Sequence, residues 1–293
     1  LKNQLNELIN LYKNKKLPNK ILLSGSKGTG KCTLAYHLVN FILSENEDFN
    51  YNVKDNTINA ENKSFKLIQN KSNPNFYIID SAIDKKNIEI SQIRKLISNL
   101  SMSALNDKPR IVLIDNIELL NNNSVNGLLK VVEEPNNNVH FILINNNIKK
   151  FLTLKSRCLN FKINLSYEDA IEVASILLGK DIFSLVNKEL IHYYLTPGKI
   201  FDLVSFSSEN SIDLRNITLK EFLLQIINRG FYKKTTLISP IMYDFFELFL
   251  LKSISLKSPD FYSYFIKKIY DLEKYNLDEE ALLLEYKQKL LNE

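Results

Sequence analysis

Short apolar runs, separated by stretches of helical periodicity, fill the first half of the chain. The runs predict five β-strands, at residues 20–24, 76–80, 111–115, 139–144 and 159–163. Apolar residues that recur every three or four positions predict helices at residues 5–12, 34–43, 91–101 and 124–134. Strands that alternate with helices indicate a parallel, doubly wound sheet that is covered by helices on both faces. Ser124 is the expected N-cap of the last of these helices.

Beyond residue 166 the pattern is helical throughout. Ser166 and Asp169 predict a capped helix start. Helices are predicted at residues 170–178, 180–187, 189–195, 199–207, 219–227, 242–253, 262–275 and 278–291. We therefore predict an α/β domain at residues 1–162, a small helical subdomain at 163–214 and a helical bundle at 215–293. The polar segment 44–73, which has little apolar periodicity, is predicted to be a mobile surface insertion.

The length of 293 residues agrees with a folded protein of about two domains, since a domain has roughly 150 residues. The net charge of +5 is too small to favour a dedicated DNA-binding surface. No apolar run of the sequence is long enough to span a bilayer, so we expect no membrane association. Two cysteines are too few for a disulfide framework or a four-cysteine zinc site, which favours the reducing cytoplasm and excludes such a zinc site.

Residues Gly25 to Thr33 carry the clearest chemistry. They read Gly-Ser-Lys-Gly-Thr-Gly-Lys-Cys-Thr and lie between a predicted strand and a predicted helix, as a Walker A phosphate loop requires. Backbone N–H groups of such a loop surround phosphate oxygens, and Lys31 can reach the terminal phosphates. The alternative is a glycine-rich turn without function. The nucleotide-binding residues predicted from this motif and the strand at 111–115 are Gly25, Gly28, Thr29, Gly30, Lys31, Cys32, Thr33 and Asp115.

Two positions depart from the pattern of an active hydrolase. Cys32 stands where a Ser or Thr hydroxyl normally binds Mg²⁺, and a thiol is a poor ligand for a hard cation. Asp115 ends an apolar strand as a Walker B carboxylate does, but Asn116 follows it where a Glu would activate water. Glu118 is expected to face solvent or a helix start. We therefore expect weak or vestigial binding of ATP or ADP with Mg²⁺, and slow hydrolysis or none.

Three further segments carry a specific resemblance to a known family. They are Asn-Gly-Leu-Leu-Lys-Val-Val-Glu-Glu-Pro at 126–135, the strand and asparagines at 141–147, and Ser-Arg-Cys at 156–158. In sequence and order they are similar to the signatures of the bacterial clamp-loader AAA+ family. The resemblance is dense from residue 17 to 163 and rests on helical pattern thereafter. Gly127 replaces the usual Ala of these proteins, at some loss of helix propensity.

The resemblance implies roles for three more residues. Arg157 resembles the finger that reaches across a subunit interface and stabilises charge on a neighbour's ATP; the alternative is a bond to carboxylates of its own domain. Asn145 corresponds to sensor 1, which orients the attacking water or the γ-phosphate; the alternative is a polar strand end. Lys199 falls near sensor 2; the alternative is a solvated lysine. Because the zinc module of some members cannot be present, Cys158 is expected to be a small buried residue.

The resemblance also implies an architecture, a function and partners. The three parts become an AAA+ P-loop α/β domain, an all-helical lid and an all-helical C-terminal collar domain that holds the chain in a hetero-oligomer. The chain would be a cytoplasmic stator of the DNA polymerase III clamp loader, with no independent ATPase activity. Its partners would be gamma/tau-type and delta-type subunits, with the sliding clamp and primed DNA reached through the complex.

Two other functions are weaker interpretations. An ATP-hydrolysing motor subunit would be favoured by a Mg²⁺-binding Ser or Thr, an Asp-Glu pair and four zinc cysteines, and all three are missing. A small-molecule P-loop kinase is opposed by the long helical C-terminal half and the Ser-Arg-Cys motif.

Overall fold

The computed structural model of the chain describes residues 1–80, 87–103, 105–133, 138–146, 152–192, 195–234, 239–253, 259–275 and 277–291. The chain divides into two compact units, Leu1–Asn164 and Leu165–Glu293. No helix within these described ranges is long and apolar enough to cross a membrane.

The first unit contains a five-stranded parallel sheet with the strand order β2-β3-β4-β1-β5. Its strands are β1 (Lys20–Ser24), β2 (Phe76–Ile79), β3 (Arg110–Ile114), β4 (Val139–Asn145) and β5 (Leu159–Lys162). Its helices are α1 (Lys2–Lys13), α2 (Lys31–Leu43), α3 (Lys63–Gln69), α4 (Ile90–Ser101), α5 (Asn122–Glu133) and α6 (Leu152–Lys155), with a 3₁₀ helix at Ile117–Leu119. The predicted parallel α/β fold is confirmed.

Side chains alternate along the strands, so the sheet buries apolar residues on both faces. In β3, Ile111 and Leu113 pack with α1 and α2, whereas Val112 and Ile114 pack with α4 and α5. Burying such a side chain contributes about 1.5–3 kcal/mol. The central strands therefore hold the loops at their carboxyl ends in fixed positions.

The start of α5 differs from the prediction. The helix begins at Asn122, and the N–H of Ser124 donates to Oδ1 of Asn121 at 2.8 Å. Asn121 therefore caps the helix, and the prediction of Ser124 as the N-cap is wrong. Ser124 is buried in the first turn, where its hydroxyl donates to the carbonyl of Ile88 at 3.0 Å.

The polar segment 44–73 contains helix α3, which the sequence pattern did not predict. Asn62 caps this helix by accepting the N–H of Phe65 at 2.7 Å, and Ser64 donates to Glu47 at 2.6 Å. Asn62 and Ser64 are buried through hydrogen bonds, so the segment shows little of the apolar periodicity that marks most helices. The mobility of the segment stays a prediction.

The second unit is helical in every element that the structure describes, as predicted. Its α-helices are α7 (Tyr167–Leu178), α8 (Ile182–Leu185), α9 (Pro197–Glu209), α10 (Leu219–Asn228), α11 (Phe231–Lys234), α12 (Ser239–Ser253), α13 (Pro259–Tyr275) and α14 (Glu279–Tyr286). A 3₁₀ helix lies at Lys188–Leu190 and a π-helical turn at Lys287–Leu291. Ser166 caps α7 by accepting the N–H of Asp169 at 3.1 Å, which confirms that prediction.

One cluster of buried side chains runs through the second unit from Ala174 in α7 to Tyr286 in α14. It contains residues from both predicted parts, 163–214 and 215–293. The division into a lid and a collar therefore stays a prediction.

Candidate functional site

The predicted phosphate loop connects β1 to α2. Gly28 and Gly30 have φ angles of 84° and 85°, a left-handed conformation that side chains disfavour. A Cβ atom at Gly25 would lie 2.2 Å from the carbonyl oxygen of Ile163. Gly30 is the N-cap of α2, whose first N–H groups have no acceptor within the helix. This loop fits a phosphate group, since the backbone can approach closely and the helix start favours an anion.

Lys31 closes the loop with its own side chain. Its Nζ donates to the carbonyl oxygens of Gly25 at 2.8 Å and Ser26 at 2.6 Å, and it lies 3.4 Å from Oγ1 of Thr29. Only 3% of the residue is exposed. Burial lowers the pKa of Lys31 to about 8, although the Glu118 carboxylate acts in the opposite direction. A bound phosphate would therefore meet an ammonium group that is already held in the loop.

We expect the affinity for ADP to depend on the protonation of Lys31. A phosphate beside Lys31 raises its pKa, so binding is full below a pH of about 8 and falls about tenfold per unit as pH rises beyond it. Titration calorimetry from about pH 7 to about pH 9.5 measures this, with Lys31→Arg as the control because Arg stays charged. A wild-type profile as flat as that of Lys31→Arg would contradict the expectation.

Asp115 directly follows β3. Its carboxylate lies near the side chain of Cys32, the residue after Lys31 in the phosphate loop. The Cys32 thiol and the Asp115 carboxylate lie close enough for each to shift the pKa of the other. Burial, followed by the charge of Asp115, raises the pKa of Cys32 to about 12, so the sulfur keeps its proton at neutral pH. Burial and the nearby Asp80 also raise the pKa of Asp115. A protonated thiol does not suit Mg²⁺, so the loop fits phosphate better than it fits the metal.

Asn116 is held by amides and carboxylates at the same edge of the sheet. It has a φ of 56°, and its N–H donates to Oδ1 of Asp115 at 2.9 Å. Its side-chain Nδ2 donates to Oδ1 of Asp80 at 3.2 Å, and its Oδ1 accepts from Nδ2 of Asn146 at 2.6 Å. Both ends of the amide have partners, and an amide cannot act as a general base.

Glu118, Asp80 and Asn146 belong to this network, and sequence reasoning assigned none of them to the site. Glu118 lies in the 3₁₀ helix, where its carboxylate accepts from the N–H of Asn146 at 3.2 Å and from its Nδ2 at 2.8 Å. Asp80 and Asn146 each follow a strand directly. Their positions were the available signal, because residues just after parallel strands meet at one edge of the sheet.

Asn145 adjoins the phosphate loop, as a sensor 1 residue would. It ends β4, it is 3% exposed, and its carbonyl oxygen accepts the N–H of Gly25 at 3.2 Å. The structure thus brings Asn145, Lys31 and Asp115 to one edge of the sheet. Whether Asn145 acts on a nucleotide stays a prediction.

Arg157 lies on the surface of the first unit, just after α6. Its Nε donates to Oε1 of Glu133 at 2.8 Å, and its Nη1 donates to the carbonyl of Thr153 at 2.9 Å. The Arg157 and Glu133 side chains are 38% and 48% exposed. Ion pairs this exposed contribute about 0–1 kcal/mol, so Arg157 can leave Glu133 at little cost. The finger role stays a prediction.

Lys199 belongs to the second unit, near the start of α9. Its N–H donates to Oγ1 of Thr196 at 3.4 Å, and its Nζ forms an ion pair with Asp244 in α12. The sequence suggested phosphate or solvent as the partner of this lysine, and the structure adds a carboxylate. Its proposed contact with nucleotide is untested.

Cys158 is half-buried and packs against the apolar cluster of α4 and α5. Burial raises its pKa to about 11, so this thiol is also protonated at neutral pH. Its surroundings are those of a packing residue rather than a reactive thiol.

Comparison with known proteins places the first unit in a replication family. Residues 1–166 match the family described as "DNA polymerase III, delta subunit". The DNA polymerase III subunit gamma of Buchnera aphidicola subsp. Schizaphis graminum is 30% identical over 213 residues, which cover 69% of this chain and 56% of that protein. The subunit delta' of Buchnera aphidicola subsp. Baizongia pistaciae is 25% identical over 229 residues, which cover 68% of this chain and 65% of that protein.

The chain thus spans little more than half the length of the first of these relatives and just under two thirds of the second. A solved gamma-subunit-related protein from Thermotoga maritima aligns with 89% of this chain and 76% of its own, with a TM-score of 0.45 and 16% identity. Likeness of that degree adds nothing to the family match.

Proposed function

The chain belongs to the DNA polymerase III delta-subunit family, and from that membership we propose that it is a delta-prime-type subunit of the clamp loader. In this role it is a stator that helps to place the sliding clamp on primed DNA. Gamma/tau-type subunits hydrolyse the ATP, and this chain donates Arg157 to a neighbour's site. Its direct partners are gamma/tau-type and delta-type subunits, and it reaches the clamp and DNA through the assembly.

The state of Asn116 is the observation that carries the stator proposal. A hydrolytic site needs a carboxylate at this position to activate water, and here an amide is bonded to Asp80 and Asn146. The protonated Cys32 thiol adds a second obstacle, because it stands beside Asp115 where a Mg²⁺ ligand is needed. A pocket that binds phosphate without activating water suits a fixed member of an assembly.

The surface position of Arg157 supports the second half of the proposal. A residue that acts on a neighbour's nucleotide must be able to leave its own domain, and the pair with Glu133 is exposed and weak. The planar guanidinium can bond two phosphate oxygens at once, which a lysine at this place could not do.

A gamma/tau-type motor is the second candidate, because a gamma subunit is 30% identical to this chain. In that case a carboxylate at a position other than 116 must activate water. Glu118 is the candidate, because among the carboxylates that raise the pKa of Lys31 it has the largest effect. ATP turnover by the purified chain, measured with Mg²⁺ and primed DNA, separates the two candidates. Vigorous turnover by the chain alone would favour the motor and contradict the stator.

A hydroxyl at position 32 should make the affinity for ATP depend on Mg²⁺. We expect Cys32→Thr to tighten ATP binding about tenfold when Mg²⁺ is added, since a hydroxyl oxygen is the ligand this cation prefers. Hydrolysis should stay low because Asn116 remains. Cys32→Ala is the matched control, as it removes the thiol without adding an oxygen. Titration calorimetry measures both, and equal responses of the two variants to Mg²⁺ would contradict the assignment.

A further inference from the structure

A groove of about 1050 Å³ runs along the outer edge of the sheet in the first unit. Strand β2 forms its floor, α3 lines one wall through Phe65 and Ile68, and α4 lines the other through Lys95 and Leu96. Within the described residues, β2 pairs with β3 alone and is therefore an edge strand. We call this feature the edge groove.

The backbone of β2 offers hydrogen-bonding groups to the edge groove. The carbonyl oxygens of Asn75 and Ile79 accept the N–H groups of Ile111 and Asp115 at 2.7 and 2.9 Å, so these two residues face β3. Successive residues of a strand present their N–H and C=O groups to opposite sides. The N–H and C=O of Ile78 and the C=O of Phe76 therefore point away from β3. A sixth strand would need these groups to form hydrogen bonds with β2.

The side chains of the edge groove are apolar along its floor and basic on both walls. Ile78 is 38% exposed, which is high for an isoleucine in a strand. Lys71 lies just beyond the end of α3 and Lys95 lies on α4, so there is one cation on each side of the floor. Neither lysine has an ion-pair partner in the part of the chain that the structure describes. Asp80, the carboxylate in the lining, is bonded to Nδ2 of Asn116.

We propose that the edge groove binds an extended segment of a partner protein in which acidic residues lie beside apolar ones. The segment adds to β2 as a strand, with its backbone bonded to Ile78. Its successive side chains point to opposite walls, so two neighbouring acidic residues meet Lys71 and Lys95 while apolar residues cover Ile78. This proposal does not depend on nucleotide binding or on the role of Arg157, so either can fail without the other.

A labelled peptide tests the proposal directly. The probe is fluorescein-labelled Val-Ile-Glu-Asp-Val-Ile with a blocked carboxyl end, and fluorescence anisotropy measures its binding to the full chain. We expect saturable binding that weakens with salt. The double variant Lys71→Glu with Lys95→Glu should lower the affinity about tenfold or more. Lys54→Glu, an exposed lysine outside the edge groove, is the control and should leave it within about twofold.

N-methylation of the peptide separates strand addition from attraction between charges alone. An added strand directs alternate N–H groups toward β2. Methylating one alternate set of amides should therefore abolish binding, whereas methylating the other set should leave it within about twofold. Ile78→Pro gives the matching change in the protein, since it removes an N–H that points away from β3. Circular dichroism monitors the folding of that variant, and the methylated peptides keep the test decisive if it does not fold.

Four results would overturn the proposal. They are no binding at a peptide concentration of about 1 mM, an equal effect of the two methylated sets, an affinity unchanged by the double lysine variant, and displacement of the peptide by a single-stranded oligonucleotide. The last of these would assign the edge groove to nucleic acid. A fifth result, dissociation of a dimer of the full chain by the peptide, would instead assign the edge groove to a second copy and would equally contradict a partner protein.

Discussion

Replacing Arg157 by Ala should lower ATP turnover by the assembled complex about tenfold or more without preventing assembly. Arginine fingers stabilise the charge that develops on the transferred phosphoryl group, and their removal costs about 10³ to 10⁵ in rate in the best-studied cases. Assembly should survive because the Arg157 side chain is exposed and its pair with Glu133 contributes little to the fold. Turnover per complex, measured after size-exclusion chromatography, gives both results.

Arg94 supplies a matched control, since it is an exposed arginine on α4 of the same unit. Arg94→Ala removes the same charge and should leave turnover within about twofold, because exposed charges away from a site act only through screened, long-range forces. If Arg157→Ala and Arg94→Ala behave alike, the finger assignment is wrong.

Replacing Gly25 by Ala should lower the free energy of unfolding of the first unit by about 3 kcal/mol or more. The new Cβ would lie 2.2 Å from the backbone oxygen of Ile163. The N–H of Ile163 donates to the carbonyl of Ser24 at 2.7 Å, which ties the two segments together, so the clash cannot relax without breaking this bond. Urea unfolding followed by circular dichroism measures the loss.

Gly127→Ala is the control within the same unit. Its Cβ would lie 3.0 Å from the Cδ1 atom of Ile90, the flexible end of a half-buried side chain. Alanine also raises helix propensity by about 1 kcal/mol, so we expect this variant to keep or slightly gain stability. A loss for Gly25→Ala no larger than that for Gly127→Ala would contradict the close approach at Ile163.

The sheet could be predicted from sequence because its three central strands, β3, β4 and β1, are buried on both faces. Each of them contains a run of apolar residues, and β1 has the predicted bounds, Lys20 to Ser24. Helix α3 could not be predicted in the same way, since Asn62 and Ser64 are buried through hydrogen bonds rather than through apolar contacts. Periodicity detects apolar burial and is insensitive to polar burial.

The candidate site was predictable in part for a related reason. The phosphate loop is local, so its nine residues identify it from sequence alone. The contacts of Asn116 with Asp80 and Asn146 join residues 30 or more positions apart. They depend on β2, β3 and β4 being neighbours in space, and the apolar pattern does not determine that order. The contact of Glu118 with Asn146 depends in addition on the short 3₁₀ helix after β3.

We propose that this chain serves its assembly through Arg157 and not by hydrolysing nucleotide in its own loop. The most direct test is ATP turnover by three complexes that differ only in this chain, which is wild type, Lys31→Ala or Arg157→Ala. We expect turnover with Lys31→Ala to stay within about twofold of wild type and turnover with Arg157→Ala to fall about tenfold or more. A large fall with Lys31→Ala and none with Arg157→Ala would contradict it.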